Sequence, residues 1–130
     1  SMNNKKLEWI RRLGVFGEFI GHGVFALQGK EGWFKYFDSF GISNPETIVS
    51  ILFAVGVMDI ILAFLVLIKP IRIAILWMAF GGLWTALIRW PFGGDPDWDF
   101  LERWANWAAP LALLVVLGCP TNLKAWFSAR

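Results

Sequence analysis

TIVSILFAVGVMDIILAFLVLI, residues Thr47–Ile68, holds a single ionisable side chain, Asp59, in an otherwise apolar run. A helix rises 1.5 Å per residue and needs roughly 20 residues to cross a hydrocarbon core about 30 Å thick, so this run reads as a membrane span. It is continuous and lacks the two-residue alternation of an outer-membrane strand, which selects helix over barrel. Ser43-Asn44-Pro45-Glu46 marks its start with a capping side chain, a first-turn proline and an acid at the positive end of the helix dipole. Lys69-Pro70 turns the chain into the next run.

Outward from this segment, three more apolar runs are expected as spans, over residues 7–27, 71–90 and 99–118. Glu18 is the only charge of the first beyond Arg12, and Arg72 and Arg89 bracket the third. Pro91-Phe92-Gly93-Gly94-Asp95-Pro96 stops the third, and Asp97 and Asp99 suit the N-terminus of the fourth. Pro110 leaves the Asn106 carbonyl without its helical donor and predicts a bend. The composition agrees, with 57% hydrophobic residues, 17% charged and a mean hydropathy of +0.55. Four spans in 130 residues leave no room for a soluble domain. The expected fold is all-α, a four-helix integral membrane bundle forming one domain.

Trp33, Tyr36, Phe37 and Phe40 share one helical face in the loop after the first span. They predict a short interfacial helix, lying on the bilayer or capping the bundle. Trp9 and Trp126 are expected in the inner aromatic belt, with Trp90, Trp98 and Trp104 in the outer one. Lys5, Lys6, Arg11, Arg12, Lys69, Arg72, Lys124 and Arg130 fall on one side, against Lys30, Lys35, Arg89 and Arg103 on the other. The positive-inside rule then puts both termini in the cytoplasm. The net charge of +2 averages a basic inner face and an acidic outer one and gives no sign of nucleic-acid binding. Ser1 ahead of Met2 reads as a cloning remnant, and without an Ala-x-Ala pattern after it the first span is expected to serve as an uncleaved signal anchor. Cys119 is the sole cysteine, which excludes an internal disulfide, a Cys-x-x-Cys redox pair and a Cys-rich metal site.

Depth gives the remaining polar residues their meaning. Glu18 and Asp59 fall near the bilayer centre, and His22 lies about 6 Å outward of Glu18 on the same helix face. Thr85 and Arg89, and Glu102 and Asn106 beside Arg103, repeat the four-residue spacing in the outer third. An unpaired charge at the centre costs roughly 2.5–3.5 kcal/mol, so these side chains are expected to face one another inside the bundle. Gly14, Gly17, Gly21, Gly56, Ala63, Gly81 and Gly82 offer small surfaces for close helix packing. Two readings of this polar core stand side by side. In one, Arg89 pairs with Glu102 or lies against Arg103 to pin spans three and four. In the other, Glu18, His22, Asp59, Thr85, Arg89, Glu102, Arg103 and Asn106 line an outer-half pocket for a small or lipophilic ligand.

Within the pocket reading, a quinone is one candidate cofactor, stacked on Trp84 or Trp107 with His22 or Arg89 holding a carbonyl. A metal on Glu18, His22 and Glu102 is another, although Glu-x-x-x-His differs from the Glu-x-x-His of di-iron bundles. Haem would have His22 as its single axial histidine and would need a dimer. No phosphate-binding loop and no nucleophile–base spacing is present, so no catalytic residue is assigned and the chain is not read as an enzyme on its own.

Phe40-Gly41-Ile42-Ser43-Asn44-Pro45 ahead of span two, Gly56-Val57-Met58-Asp59-Ile60-Ile61-Leu62-Ala63 within it and Lys69-Pro70-Ile71-Arg72 after it resemble the DoxX-like family, over roughly Leu13 to Leu117. The resemblance implies a four-span bacterial inner-membrane protein, Asp59 as the span-two acid, and for some relatives a subunit role in membrane redox assemblies tied to quinones or sulfur compounds. Glu18-Phe19-Ile20-Gly21-His22-Gly23 and Glu102-Arg103-Trp104-Ala105-Asn106-Trp107 depart from its pattern. The leading expectation is therefore an accessory redox or quinone-linked membrane protein with a ligand pocket, partnered by the bilayer and by a second copy or a redox partner. A non-catalytic scaffold and a small dimeric proton-coupled carrier are the alternatives; the single chain lacks the inverted repeat common in transporters.

Overall fold

A computed structural model describes residues 2–90 and 97–128. Helix α1 covers Met2–Leu27, a 3-10 turn Glu31–Trp33, α2 Phe34–Asp38, α3 Pro45–Ile68, α4 Arg72–Leu87, α5 Asp97–Glu102, α6 Trp104–Leu117 and α7 Leu123–Trp126. Helix makes up 80% of the structure and no strand occurs among the described residues, so the all-α expectation holds.

One helix, α3, is long and apolar enough to cross a membrane: 24 residues, with a mean hydropathy of 2.9 over its apolar window. It starts where the cap residues put it, with the Asn44 side chain accepting from the Glu46 amide at 3.0 Å and Pro45 in the first turn. Helices α4 and α6 are apolar but shorter, at 16 and 14 residues. Helix α1 is 26 residues long, but Lys5, Lys6, Glu8, Arg11 and Arg12 crowd its first half, so only its second half is mainly apolar, interrupted by Glu18 and His22. Within the expected spans over 71–90 and 99–118 the regular helices are shorter than those bounds. Helix α4 ends at Leu87, and the fourth run is divided at Arg103, whose φ of −96° and ψ of 11° interrupt the ladder between α5 and α6. The Pro91–Pro96 stop lies outside the described residues, as do Arg130 and the side chains of Asp97 and Asp99.

The helices associate as two pairs, α1 with α3 and α4 with α6; α1 also packs on α6, while α3 and α4 touch only lightly. Each pair closes on a glycine. A Cβ at Gly23 would sit 3.1 Å from the Gly56 carbonyl, and one at Gly56 would sit 2.8 Å from the Gly23 carbonyl. A Cβ at Gly82 would run into the Asn106 carbonyl. That carbonyl is the one Pro110 leaves without a helical donor, so the proline frees an oxygen where α4 makes its closest approach. Of the glycines expected to pack, Gly56 and Gly82 make close contacts, joined by Gly23, whereas Gly14, Gly17, Gly21 and Gly81 have open space beside them. Buried Ala63 joins the main core with Val15, Phe19, Ile75, Met78 and Leu113.

An arginine ties the base of each pair. Arg12 of α1 donates from Nε to the Val66 carbonyl at 2.9 Å and from Nη2 to Leu67, while its Nη1 meets Glu8 at 3.2 Å. Arg72 of α4 donates from Nε to Gly118 and from Nη2 to Leu117, both at 2.8 Å, and from Nη1 to Ala125 and Ser128. Each guanidinium thereby satisfies the last carbonyls of its partner helix, which have no intrahelical donor. The two residues, counted in the sequence as exposed flank charges, are buried.

The aromatic loop folds as expected into a short helix, split into the 3-10 turn and α2. Trp33, Phe34, Phe37 and Ile42 pack against Ala26, Ile48 and Leu52, so this segment caps the α1–α3 pair.

Candidate functional site

The light contact between α3 and α4 leaves a cavity of about 350 Å³, with α1 at its back. This is near the lower end of ligand-pocket sizes, roughly 300–1,000 Å³. Helix α1 contributes Glu18, Phe19 and His22, and α3 contributes Val55, Met58 and Asp59. Helix α4 contributes Trp77, Phe80, Gly81, Gly82, Trp84 and Thr85. The α4 residues recur at the spacing of one helix face, so that face was legible in the sequence as a stripe although its role was not. Trp77, Phe80 and Trp84 are half exposed or more and form the outer wall. Across the mouth, the Trp77 indole donates to the Met58 sulfur at 3.3 Å.

The polar groups stand at the back. His22 Nδ1 lies 2.9 Å from Asp59 Oδ2, and Asp59 is 5% exposed. An ionised carboxylate only accepts, so the pair assigns the proton to Nδ1 and leaves Nε2 as the ring's second site. The Trp33 ring stacks on the imidazole with centroids 4.8 Å apart and planes 26° from parallel, which makes the capping segment a cover over His22. Glu18 lines the cavity with no ion-pair partner within 4 Å among the described residues; Asp59 and Arg103 are the charges within electrostatic reach. The acids lie on facing helices because the Gly23–Gly56 contact brings α1 and α3 together beside them.

Of the residues expected to converge, Glu18, His22, Asp59, Thr85 and Trp84 line this cavity. Arg89, Glu102, Arg103, Asn106 and Trp107 do not. Arg89 is buried one turn beyond Thr85, donating to the Thr85 carbonyl at 2.7 Å and lying 4.8 Å from the centre of the Tyr36 ring. Glu102 is exposed, so neither the Arg89–Glu102 staple nor a Glu18–His22–Glu102 metal set is assembled. Asn106 serves through its backbone carbonyl at the Gly82 contact. Trp107 stands edge-on to Trp104 at 6.3 Å, and its buried indole N–H has no acceptor among the described residues. The break at Arg103 accounts for much of this divergence: residues counted on one continuous helix belong to two. Thr85 spends its hydroxyl on the Gly82 carbonyl at 2.8 Å. Phe19, Met58, Trp77 and Phe80 were not singled out, because apolar side chains in an apolar run carry no mark of the cavity they face.

In comparisons with known proteins, no family model, no curated protein and no solved structure matches the chain significantly.

Proposed function

We propose that the protein is a four-span bacterial inner-membrane protein of DoxX-like type that binds a small lipophilic ligand from the bilayer in the cleft between α3 and α4. Three observations support the membrane reading. The apolar window of α3 is 33% buried, so most of a strongly apolar helix faces outward. Ile10, Leu13, Phe53, Ile61, Ile68, Phe80 and Val115 are all more than half exposed, a surface costly in water and stable against acyl chains. The shorter α4 and α6 carry further aromatic and apolar residues at their ends, and local thinning of the bilayer accommodates short spans.

The observation that carries the ligand reading is the cavity itself, with apolar walls, aromatic rings at its mouth and the His22–Asp59 pair at its back. Arg12 and Arg72 are buried charges with carbonyl partners and act as staples, whereas Glu18 and the His22–Asp59 pair line the cavity. A quinone fits this chemistry, with its ring against Trp84 or Trp77 and a carbonyl near His22, and an accessory redox role follows from that ligand. The scaffold reading accounts for the arginines and leaves the cavity unexplained.

Gly81→Leu is the direct test, because a side chain there projects into the cavity with no neighbour within 4 Å. Full-length protein in nanodiscs is expected to bind a short-chain quinone or another lipophilic compound that co-purifies, and Gly81→Leu is expected to lose that binding while keeping its helical circular dichroism. Equal binding by the two proteins, or none by the native chain, leaves the scaffold reading.

A further inference from the structure

The cavity holds two carboxyl side chains, and among the described residues no lysine or arginine lines it. Asp59 is engaged by His22, whereas Glu18 has no ion-pair partner within 4 Å. From the break between α5 and α6, Arg103 exerts a field on Glu18 without lining the cavity; from α3 the facing acid is Asp59; from α1 itself the neighbour is His22; and α4 presents the uncharged Thr85. Opposite these acids stand the rings of Trp77, Phe80 and Trp84. Aromatic faces carry negative quadrupole density and attract organic cations, most strongly where water is excluded. An anion meets two acids here, and a neutral ligand offers Glu18 no counter-charge; only a cation lets it ionise at a depth where an unpaired charge costs roughly 2.5–3.5 kcal/mol.

Resting on the ligand-pocket reading above, but in place of the neutral quinone considered there, we infer that the ligand class is a hydrophobic organic cation, a substituted or quaternary amine, held between the Glu18 carboxylate and the α4 aromatic wall. Binding exchanges one positive charge for another. In the empty cavity a proton neutralises Glu18; the cation takes its place, and that proton passes through the cleft to solvent. Acidification therefore competes with the ligand, and affinity rises with pH until Glu18 is fully ionised.

The test compares two probes of the same shape, benzyltrimethylammonium and its uncharged carbon analogue neopentylbenzene, binding to full-length protein in nanodiscs of zwitterionic lipid. The native chain is expected to bind the cation at least tenfold more tightly than the neutral analogue, to weaken for the cation alone as pH falls, and to release protons into the buffer as it binds. Glu18→Gln is expected to remove the tenfold preference. Equal affinity for the two probes in the native chain, or a cation affinity independent of pH, overturns the cation assignment while the cavity reading stands; neither measurement needs a variant to fold. Failure of the native chain to bind either probe, or binding of both that Gly81→Leu does not disturb, overturns the cavity reading together with it.

Discussion

Gly17 and Gly82 look alike in sequence, each a glycine in an apolar helix, and their surroundings make them opposites. Beside Gly17 there is open space, so Gly17→Ala gains helix propensity and is expected to raise stability by up to about 1 kcal/mol. Gly82→Ala drives a methyl into the Asn106 backbone, which has no flexible end to yield, and is expected to cost about 1–3 kcal/mol. Denaturant titrations of both variants in the same micelle measure the contrast; matching responses would refute the α4–α6 approach. At His22 the question is which nitrogen holds the proton. Nitrogen NMR of the native chain is expected to show one tautomer, protonated at Nδ1, because Asp59 accepts there at 2.9 Å. Asp59→Asn is expected to give a mixture of tautomers. A mixture already present in the native chain refutes the pairing.

Among the helices, the arginine caps carry the clearest consequence. Hydrogen bonds from a charged group are worth roughly 1.5–3 kcal/mol, and Arg72 gives its own to the end of α6 and to the segment after it. Arg72→Met is expected to lower stability by about that amount and to speed amide exchange over residues 114–128, leaving the end of α3 protected. Arg12→Met is expected to do the reverse, loosening the end of α3 around Val66 and Leu67. Exchange that spreads evenly over both pairs in either variant contradicts the division into α1–α3 and α4–α6. The two pairs share one plan: an arginine on the first helix, a glycine contact roughly three turns on, and a capped end on the second helix. Both first helices run in the same sense, so the relation is a parallel repeat and not the inverted one of many transporters. The cleft lies where the pairs meet without interlocking.

For the molecule as a whole, the basic residues Lys69, Arg72 and Lys124 gather at the end that carries Cys119, and the aromatic cap over His22 lies at the other. If that basic end faces the cytoplasm, exposed Cys119 is expected to react with a membrane-impermeant thiol reagent in inverted vesicles and not in intact spheroplasts. Labelling from the outside reverses the proposed topology and moves the cavity to the inner leaflet.

The α3 span, its Asn44 cap, the all-helical class and the short aromatic helix were legible in the sequence, because each is fixed by neighbours within a turn or two along the chain. The grouping of Glu18, His22 and Asp59 was legible too, since depth in a span follows from a constant rise per residue. Depth says nothing about azimuth or about a break in the ladder. For that reason Arg89, Glu102, Asn106 and Trp107 fall away from the cavity, and Gly23 had to be found from the Gly56 backbone it touches. Local sequence determined which residues form helices and how far along each one they sit. The two glycine contacts and the break at Arg103, which depend on how separate helices rotate and cross, decided which side chains share a cavity.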